Sequence, residues 1–481
     1  MSQARLTSCI PLPLEHKTLV NVIEKAKDWA LMHGVGMRDK KHFNKDVIQI
    51  APFVLLPSPF PRTEFDKAIE LQPILNELMH KVAHDDCFLE HTLQNALQVD
   101  EFTASLYDIW VKVRNEGVTQ SLSLGLFRSD YLMQCPENNC IKQVEFNTVA
   151  ASFGAITSYL PTMSRYVLRQ LGHGDLIKNM PENKALSGLC AGITEAYDLF
   201  GVPSAVILFV VEEVSYNICD QRFHEFEIAE KRPDIQIHRK TLNEIFEETH
   251  LNDKKQLILD GRQVAVVYYR SGYEPAQYPS SKEWDARLRV ERSTAIKCPS
   301  IHYQLAGTKK VQQALASPGV LEQFMGGGAA TSRVRDIFTG LYSLDFDETG
   351  ERAVEMALAD AEKFVLKPQR EGGGNNVYGA DVRDALLKMR HSRERAAYIL
   401  MERILPPLVP GYVVRPGSPV PPPVVDLVSE LGIFGVIIGT KDKICYNRQV
   451  GHMLRTKLAD ANEGGVAAGL GALDSPYLVD A

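Results

Sequence analysis

Hydrophobic residues in the first third of the chain recur at helical spacing. Leu19, Val22, Ile23, Ala26, Trp29 and Ala30 fall on one face of a helix over residues 15–32, and Gly34 is placed to end it. The same periodicity predicts helices over 64–82 and 87–116. The pattern then turns to strands: SLSLGLF (121–127) and IKQVEFN (141–147) flank a turn-rich CPENNC segment and predict a hairpin or neighbouring strands. From Pro203 onward apolar runs alternate with helical stretches. AVILFVV (205–211), a helix from about Asp220, QVAVVYYR (263–270) and a helix over 283–292 make a small α/β unit. Beyond Gly307 come a helix opening on TKKVQQAL, a glycine-rich MGGGAATS (325–332), a helix over 350–362, the strand FVLKPQ (364–369), a triglycine loop, a helix near 380–390 and YILMERI (398–404). Proline and glycine crowd residues 405–423, which predicts an exposed loop. VVDLVSELGIFGVIIG (424–439), ICYNRQVG (444–451) and a second glycine-rich stretch, EGGVAAGLG (463–471), follow.

Composition narrows the function. The chain has 481 residues, 45% hydrophobic and 23% charged, more than one core usually supports and ordinary for a folded protein. Its 53 basic and 60 acidic residues leave a net charge of −7, so no overall positive field draws it to nucleic acid or to anionic lipid. The most basic short segment, ARLRVER (286–292), reads as the solvated face of an amphipathic helix. The opening residues lack an apolar signal region, and the apolar runs fall short of the roughly 18 residues that suggest a membrane span, so a cytoplasmic protein without membrane contact is expected. Eight cysteines show no CxxC pair and predict reduced thiols.

Chemistry concentrates in FVLKPQREGGGNNVYG (364–379). An apolar strand delivers Lys367, and three glycines without Cβ atoms let backbone N–H groups approach phosphate oxygens, although a plain flexible hairpin would have the same spacing. Glu145 and Asn147 are two apart in VEFNT, so on a strand both point to one face and suit a hard cation such as Mg²⁺; Glu371 is a natural third ligand. A half-exposed edge strand would explain the pair equally. Lys309 and Lys310 stand at a helix start, where the dipole disfavours cations, so either they reach into solvent or one points at an anion. Arg455 and Lys457 share one strand face and could hold a carboxylate and a phosphate. Arg128 and Arg270 each end an apolar strand, where α/β proteins place binding groups.

Taken together, GLFRSDY, QVEFNTVAASFG, NICDQR, VVYYRSGY, ERSTAIKCP, QLAGTKKVQQ, FVLKPQREGGGNNVYG, YILMERI, SELGIFG and GHMLRTK followed by GGVAAG resemble the eukaryotic-type glutathione synthetases along most of the chain. The resemblance implies an α/β (α+β) ATP-grasp ligase. Antiparallel sheets would enclose the nucleotide, with an inserted small α/β substrate domain and glycine-rich lid loops formed by residues 371–376 and EGGVAAG. The implied division is 1–204 for the N-terminal part of the body, 205–305 for the substrate domain and 306–481 for the C-terminal part. It implies homodimers, Mg²⁺ as metal, and ATP, γ-glutamylcysteine and glycine as substrates.

Residue by residue, the resemblance assigns Glu145, Asn147 and Glu371 to Mg²⁺. It assigns ATP contacts to Glu145, Lys309, Lys367, Glu371, Gly372, Gly373, Gly374, Asn376, Tyr378, Met401, Glu402, Ile404, Glu430, Lys457 and Glu463. Dipeptide contacts fall to Arg128, Ser152, Asn217, Gln221, Arg270 and Tyr273, and the glycine end to Arg455, Val466 and Ala467. Arg128, Lys309, Lys367 and Arg455 would serve catalysis. Three positions depart from the family pattern: Ala150 replaces a serine, Ser215 a glutamate two residues before Asn217, and Glu463 an aspartate. A related ligase using another amine or dipeptide, or a weakened ATP-binding paralogue, therefore stays open at this stage.

Overall fold

The computed structural model describes residues 4–135, 139–371, 374–466 and 470–480. The predicted Gly372, Gly373 and Ala467 lie outside the described residues, as do parts of both predicted lids.

Two long strands, Val425–Thr440 and Lys443–Leu458, pair antiparallel at the centre of one large sheet. To one side the sheet continues through Gly471–Asp474, Phe53–Val54 and Val413–Val414. To the other it runs through Ser123–Gln134, Ile296–Cys298 and Arg262–Tyr269 to Val206–Val210 and Gln236–Lys240. These last four strands are mutually parallel, and Lys297 pairs with Ser123, so the strands of residues 205–305 extend the same sheet. Parallel strands are covered on both faces, which is why Val206–Val210 is an unbroken apolar run with every residue buried. Alternate side chains serve opposite cores: Ile207 and Phe209 join one, Val206, Leu208 and Val210 the other.

A second sheet of four antiparallel strands orders Leu341–Ser343, Tyr398–Glu402, Phe364–Pro368 and Val377–Tyr378. Helices Glu348–Ala359 and Ala380–Met389 close its own core around Leu344, Val354, Leu366, Leu386 and Leu400.

The helix His16–Met32 is capped by the Glu15 carboxylate and followed by Gly34 at φ 70°. The helix expected over 87–116 is two, Asp86–Leu93 and Glu101–Glu116. The Asp85 and Asp100 side chains accept from the N–H groups of Phe88 (2.9 Å) and Thr103 (2.8 Å) and start each afresh. The expected hairpin forms from Ser123–Gln134 and Cys140–Asn147. Its first strand runs six residues past Arg128, which therefore sits in mid-strand and not at a strand end.

Two further expectations are corrected. Residues 405–423 are not simply an exposed loop, because Val409–Gly411 pairs with Val425–Thr440 and Val413–Val414 with Phe53–Val54. Tyr412 between them is buried, its hydroxyl oxygen accepting from the Leu14 N–H at 2.8 Å. The 286–292 segment is not a solvated face. Arg287 is fully buried over the Tyr269 ring, 4.1 Å from its centroid, with Glu291 at 3.2 Å, and Arg289 donates to backbone carbonyls of Ile245, Phe246 and Thr249. The eight cysteines are free thiols, and no helix among the described residues is long and apolar enough to cross a membrane.

Candidate active site

A cavity of about 640 Å³ lies where the two sheets face each other. The large sheet contributes Arg128, Glu145, Asn147, Glu430, Arg455 and Lys457 to its wall, and the small sheet contributes Val365, Lys367, Tyr378, Met401 and Glu402. The period of two places these groups, since Arg128 with Asp130, Glu145 with Asn147, and Arg455 with Lys457 each share a face. Strand register then sets them opposite one another: Arg128 against Asn147, Asp130 against Glu145, Glu430 against Arg455. Gly432 opposes Asp130, and a Cβ there would lie 2.9 Å from both Arg128 Cδ and Asp130 Oδ1, so the close approach needs glycine.

Lys309 is the electrostatic centre. It opens the helix Lys309–Ala316, is buried, and its Nζ lies 3.1 Å from Glu145 Oε2 and 3.0 Å from Glu371 Oε1. Burial opposes its charge, but the two carboxylates hold the ammonium above its ordinary value. Burial likewise resists the charge of Glu145, which Lys309, Lys367 and Arg455 nevertheless hold well below the usual carboxylate range. Glu371 is pushed up by burial, with Lys309 opposing. Lys367 donates from Nζ to the Val144 carbonyl (2.8 Å), and burial pulls it below its ordinary value. Lys310 points elsewhere, to Ser343 Oγ (2.8 Å) and Asp345 Oδ2 (2.6 Å), so neither lysine reaches into solvent.

Around this centre, Arg455 donates from Nε (3.1 Å) and Nη2 (2.5 Å) to Glu430 Oε1. Asn376 donates to Tyr378 Oη (3.2 Å), and the Glu463 carboxylate accepts from the N–H groups of Gly374 and Asn376. Lys457 donates to the Asn462 carbonyl at 2.6 Å. Met401, Glu402 and Ile404 line the cavity together with Leu132, Leu405 and Pro406, and so does Val466.

At the other end, two arginines grip the loop after the second hairpin strand. Arg128 Nη1 donates to the Ser152 carbonyl (3.1 Å). Arg270 donates to the Ala151 carbonyl (3.1 Å), Ser152 Oγ (2.8 Å) and Asp220 Oδ2 (3.0 Å). Ala150 and Phe153 in this loop have φ of 49° and 76°. Such strain persists only where surrounding bonds over-determine it, and Asp220, accepting from the N–H groups of Phe153 and Ala155 at 2.9 Å each, supplies them. Asn217 and Tyr273 line the cavity here. Gln221 and Arg270 stand behind the wall, with Gln221 accepting from Arg239 at 2.8 Å. Ser215 donates to the Glu212 carbonyl (2.9 Å) and accepts from Arg239 (3.2 Å).

The sequence reading missed Asp130, fully buried and bonded to Arg128 and Asn147, and also Asp220 and Glu212. Asp130 was findable as the same-face neighbour of Arg128. Asp220 lies inside the NICDQR segment. Cys135 lines the cavity, but burial pushes its thiol up, away from nucleophilic use. The arrangement can bind a polyanion, order two carboxylates and hold a second, smaller acid.

A family model described as eukaryotic glutathione synthase, ATP binding domain, matches residues 16–478. The chain is 44% identical over 469 residues to the glutathione synthetase of Homo sapiens, covering 97% of this chain and 98% of that one. It is 43% identical over 467 residues to that of Xenopus laevis, covering 96% and 98%. Identity to the chloroplastic glutathione synthetase of Arabidopsis thaliana is 38% over 477 residues, covering 97% and 86%. Among solved structures, a glutathione synthetase like-effector from Globodera pallida in apo form superposes with a TM-score of 0.78 at 25% identity, covering 98% of this chain and 100% of that chain.

Proposed function

The chain belongs to the eukaryotic glutathione synthase family and makes glutathione from γ-glutamylcysteine, glycine and ATP, and we propose that its cleft does so through an acyl phosphate. The cysteine carboxylate of the dipeptide attacks the γ-phosphorus of ATP in line and ADP leaves. The amine of glycine then attacks the activated carbonyl, loses a proton and expels inorganic phosphate. No protein nucleophile is needed, so the cleft works by charge neutralisation, alignment and exclusion of water.

The observation that carries this reading is that Lys367, Arg455, Glu145 and Glu371 line one cavity between the two sheets, with the Lys309 ammonium at the start of its helix bonded to both carboxylates. Lys367 and Lys309 would meet the phosphates, and Lys457, Asn376, Tyr378, Met401, Glu402 and Ile404 the rest of the nucleotide. Arg128 and Arg455, held by Asp130 and Glu430, would steer the carboxylates of the two acids.

Glu145, Glu371 and Asn147 would hold Mg²⁺. The two carboxylates converge on one point, the Lys309 ammonium, and the Asn147 amide nitrogen donates to Asp130 at 3.0 Å, leaving its oxygen as the free acceptor. Among the described residues no three His, Cys, Asp or Glu side chains cluster as a metal site, and such a sparse set suits an ion completed by phosphate and water. When bound, Mg²⁺ neutralises phosphate charge.

A homodimer is supported by exposed apolar side chains, Leu31 and Met32 at the end of the first helix and Val47, Ile48 and Phe226 on other segments. Light scattering should give twice the monomer mass for the wild type and the monomer mass for Phe226→Asp.

The central test uses purified protein with ATP, Mg²⁺ and γ-glutamylcysteine, following ADP release with and without glycine, and with β-alanine for comparison. Glycine-dependent turnover is expected. Turnover indifferent to any amine would overturn the reading.

A further inference from the structure

Glu212 lies two residues past the strand Val206–Val210, and Tyr273 four past its neighbour Arg262–Tyr269. Both therefore sit at the C-terminal edge of the parallel strands, where open α/β sheets hold ligands. Glu212 Oε1 accepts from Tyr273 Oη at 3.2 Å and from Gln277 Nε2 at 2.6 Å, and both of these partners are neutral. Lys40, the cation in its field, rests over the Tyr216 ring 5.1 Å from its centroid. Glu274 shares Gln277 with it, at 3.3 Å, and adds a second negative charge. Burial pushes the Glu212 carboxyl above its ordinary value, a cost that an incoming cation would reverse.

The groups between this carboxylate and the cavity have their polarity fixed. A tyrosine hydroxyl has one hydrogen, and that of Tyr273 is committed to Glu212, so the oxygen has only lone pairs to offer a ligand. Gln277 Oε1 holds the same loop by accepting from the N–H groups of Gly272 (2.6 Å) and Tyr273 (2.9 Å). Beside it, Asn217 is 5% exposed and lines the cavity, and its Oδ1 is buried without a hydrogen-bond donor. A buried acceptor left unpaired is costly, so this end of the cleft calls for a donor. It offers two acceptors, one of them with a negative charge directly behind it, and an ammonium group, which only donates and is positive, complements it. ATP has no such group, and the amine of glycine must stay free to react. The remaining candidate is the α-ammonium of the γ-glutamyl residue.

We propose that Glu212, acting through Tyr273 and together with Asn217 Oδ1, forms the anionic seat for the α-ammonium of γ-glutamylcysteine and makes the enzyme discriminate against acids that lack it. The inference rests on the function proposed above. Glu212 is a positioning residue for specificity, outside the reacting atoms.

The test compares γ-glutamylcysteine with glutarylcysteine, the same acid with hydrogen in place of the ammonium, by steady-state kinetics. In Glu212→Gln the KM for γ-glutamylcysteine should rise about 10- to 100-fold, as for the loss of one charge-assisted contact, with kcat and the KM for ATP and glycine unchanged. The KM for glutarylcysteine should not move, and Tyr273→Phe should show the same selective effect and add little in the double variant. A loss shared equally by both acids, a rise in the KM for ATP, or no change would overturn the proposal, with the wild type still active. If Glu212→Gln does not fold, Tyr273→Phe carries the same comparison with the same outcomes. A wild type that does not join γ-glutamylcysteine to glycine would instead bring down the functional reading, and this inference with it.

Discussion

The guanidinium of Arg128 is clamped by Asp130, two residues along the same strand, through bonds of 2.6 Å and 2.7 Å, with both side chains buried. Asp130 also accepts from Asn147 at 3.0 Å and lies 3.8 Å from Arg455, so one carboxylate organises three groups of the cleft. Removing one member of a buried pair leaves the other uncompensated, so Asp130→Ala should cost about 3–5 kcal/mol in urea unfolding. A loss below about 1 kcal/mol would mean that Arg128 is held by other contacts.

Lys367 makes the opposite case. Its buried ammonium is kept below its ordinary value by desolvation and, among the described residues, bonds a backbone carbonyl alone, so folding gains little from it. Lys367→Met should lower kcat by at least about 100-fold, as for loss of a preorganised charge at the reacting phosphate, while the urea midpoint holds or rises. Retained activity would put the phosphate elsewhere.

Acid should loosen the fold at His80. Its Nε2 faces the Thr440 carbonyl at 2.9 Å and must donate, which leaves Nδ1 to accept from Tyr303 Oη at 2.6 Å, so the buried ring fits as neutral. Burial, with His84 beside it, lowers its pKa to about 4. A depressed folded-state value means stability is intact above the unfolded value of about 6.5 and is lost as pH falls from there toward 4, by about 2 kcal/mol at pH 5. Unfolding free energies from urea titrations at pH 7 and pH 5 should differ by about that much less in His80→Gln. An unchanged slope would assign the loss to other groups.

Gly432→Ala should damage both stability and catalysis, because its methyl would press on Arg128 Cδ and Asp130 Oδ1 from within the sheet. A cost of about 1–3 kcal/mol and a rise in the KM for the dipeptide are expected. Wild-type kinetics in this variant would show that the arginine can shift without consequence.

What the sequence disclosed and what it hid divides along locality. Strand periodicity put Glu145 with Asn147 and Arg455 with Lys457 on common faces, because that depends only on neighbours two apart. Register does not, and so the pairing of Glu430 with Arg455 and of Asp130 with Glu145 came only from the fold. The helix dipole flagged Lys309 as a cation in an unfavourable place, but its partners Glu145 and Glu371 arrive from distant segments. Arg287 was misread because alternating charge on a helix says nothing about a facing aromatic ring, and Tyr269 supplies one. The motif comparison located a missing carboxylate at Ser215. Glu212, three residues earlier, carried no sequence signal and became visible only through its bond to Tyr273.

The order of strands in the large sheet bears on how the protein folds. The short strand Gly471–Asp474 lies between Lys443–Leu458 and Phe53–Val54, and Pro476–Val479 pairs with Ser58–Pro61. Residues 53–61 thus take part of their pairing from segments far along the chain. Pairing over such separations is slow, so this side of the large sheet is expected to close late when the protein refolds from urea.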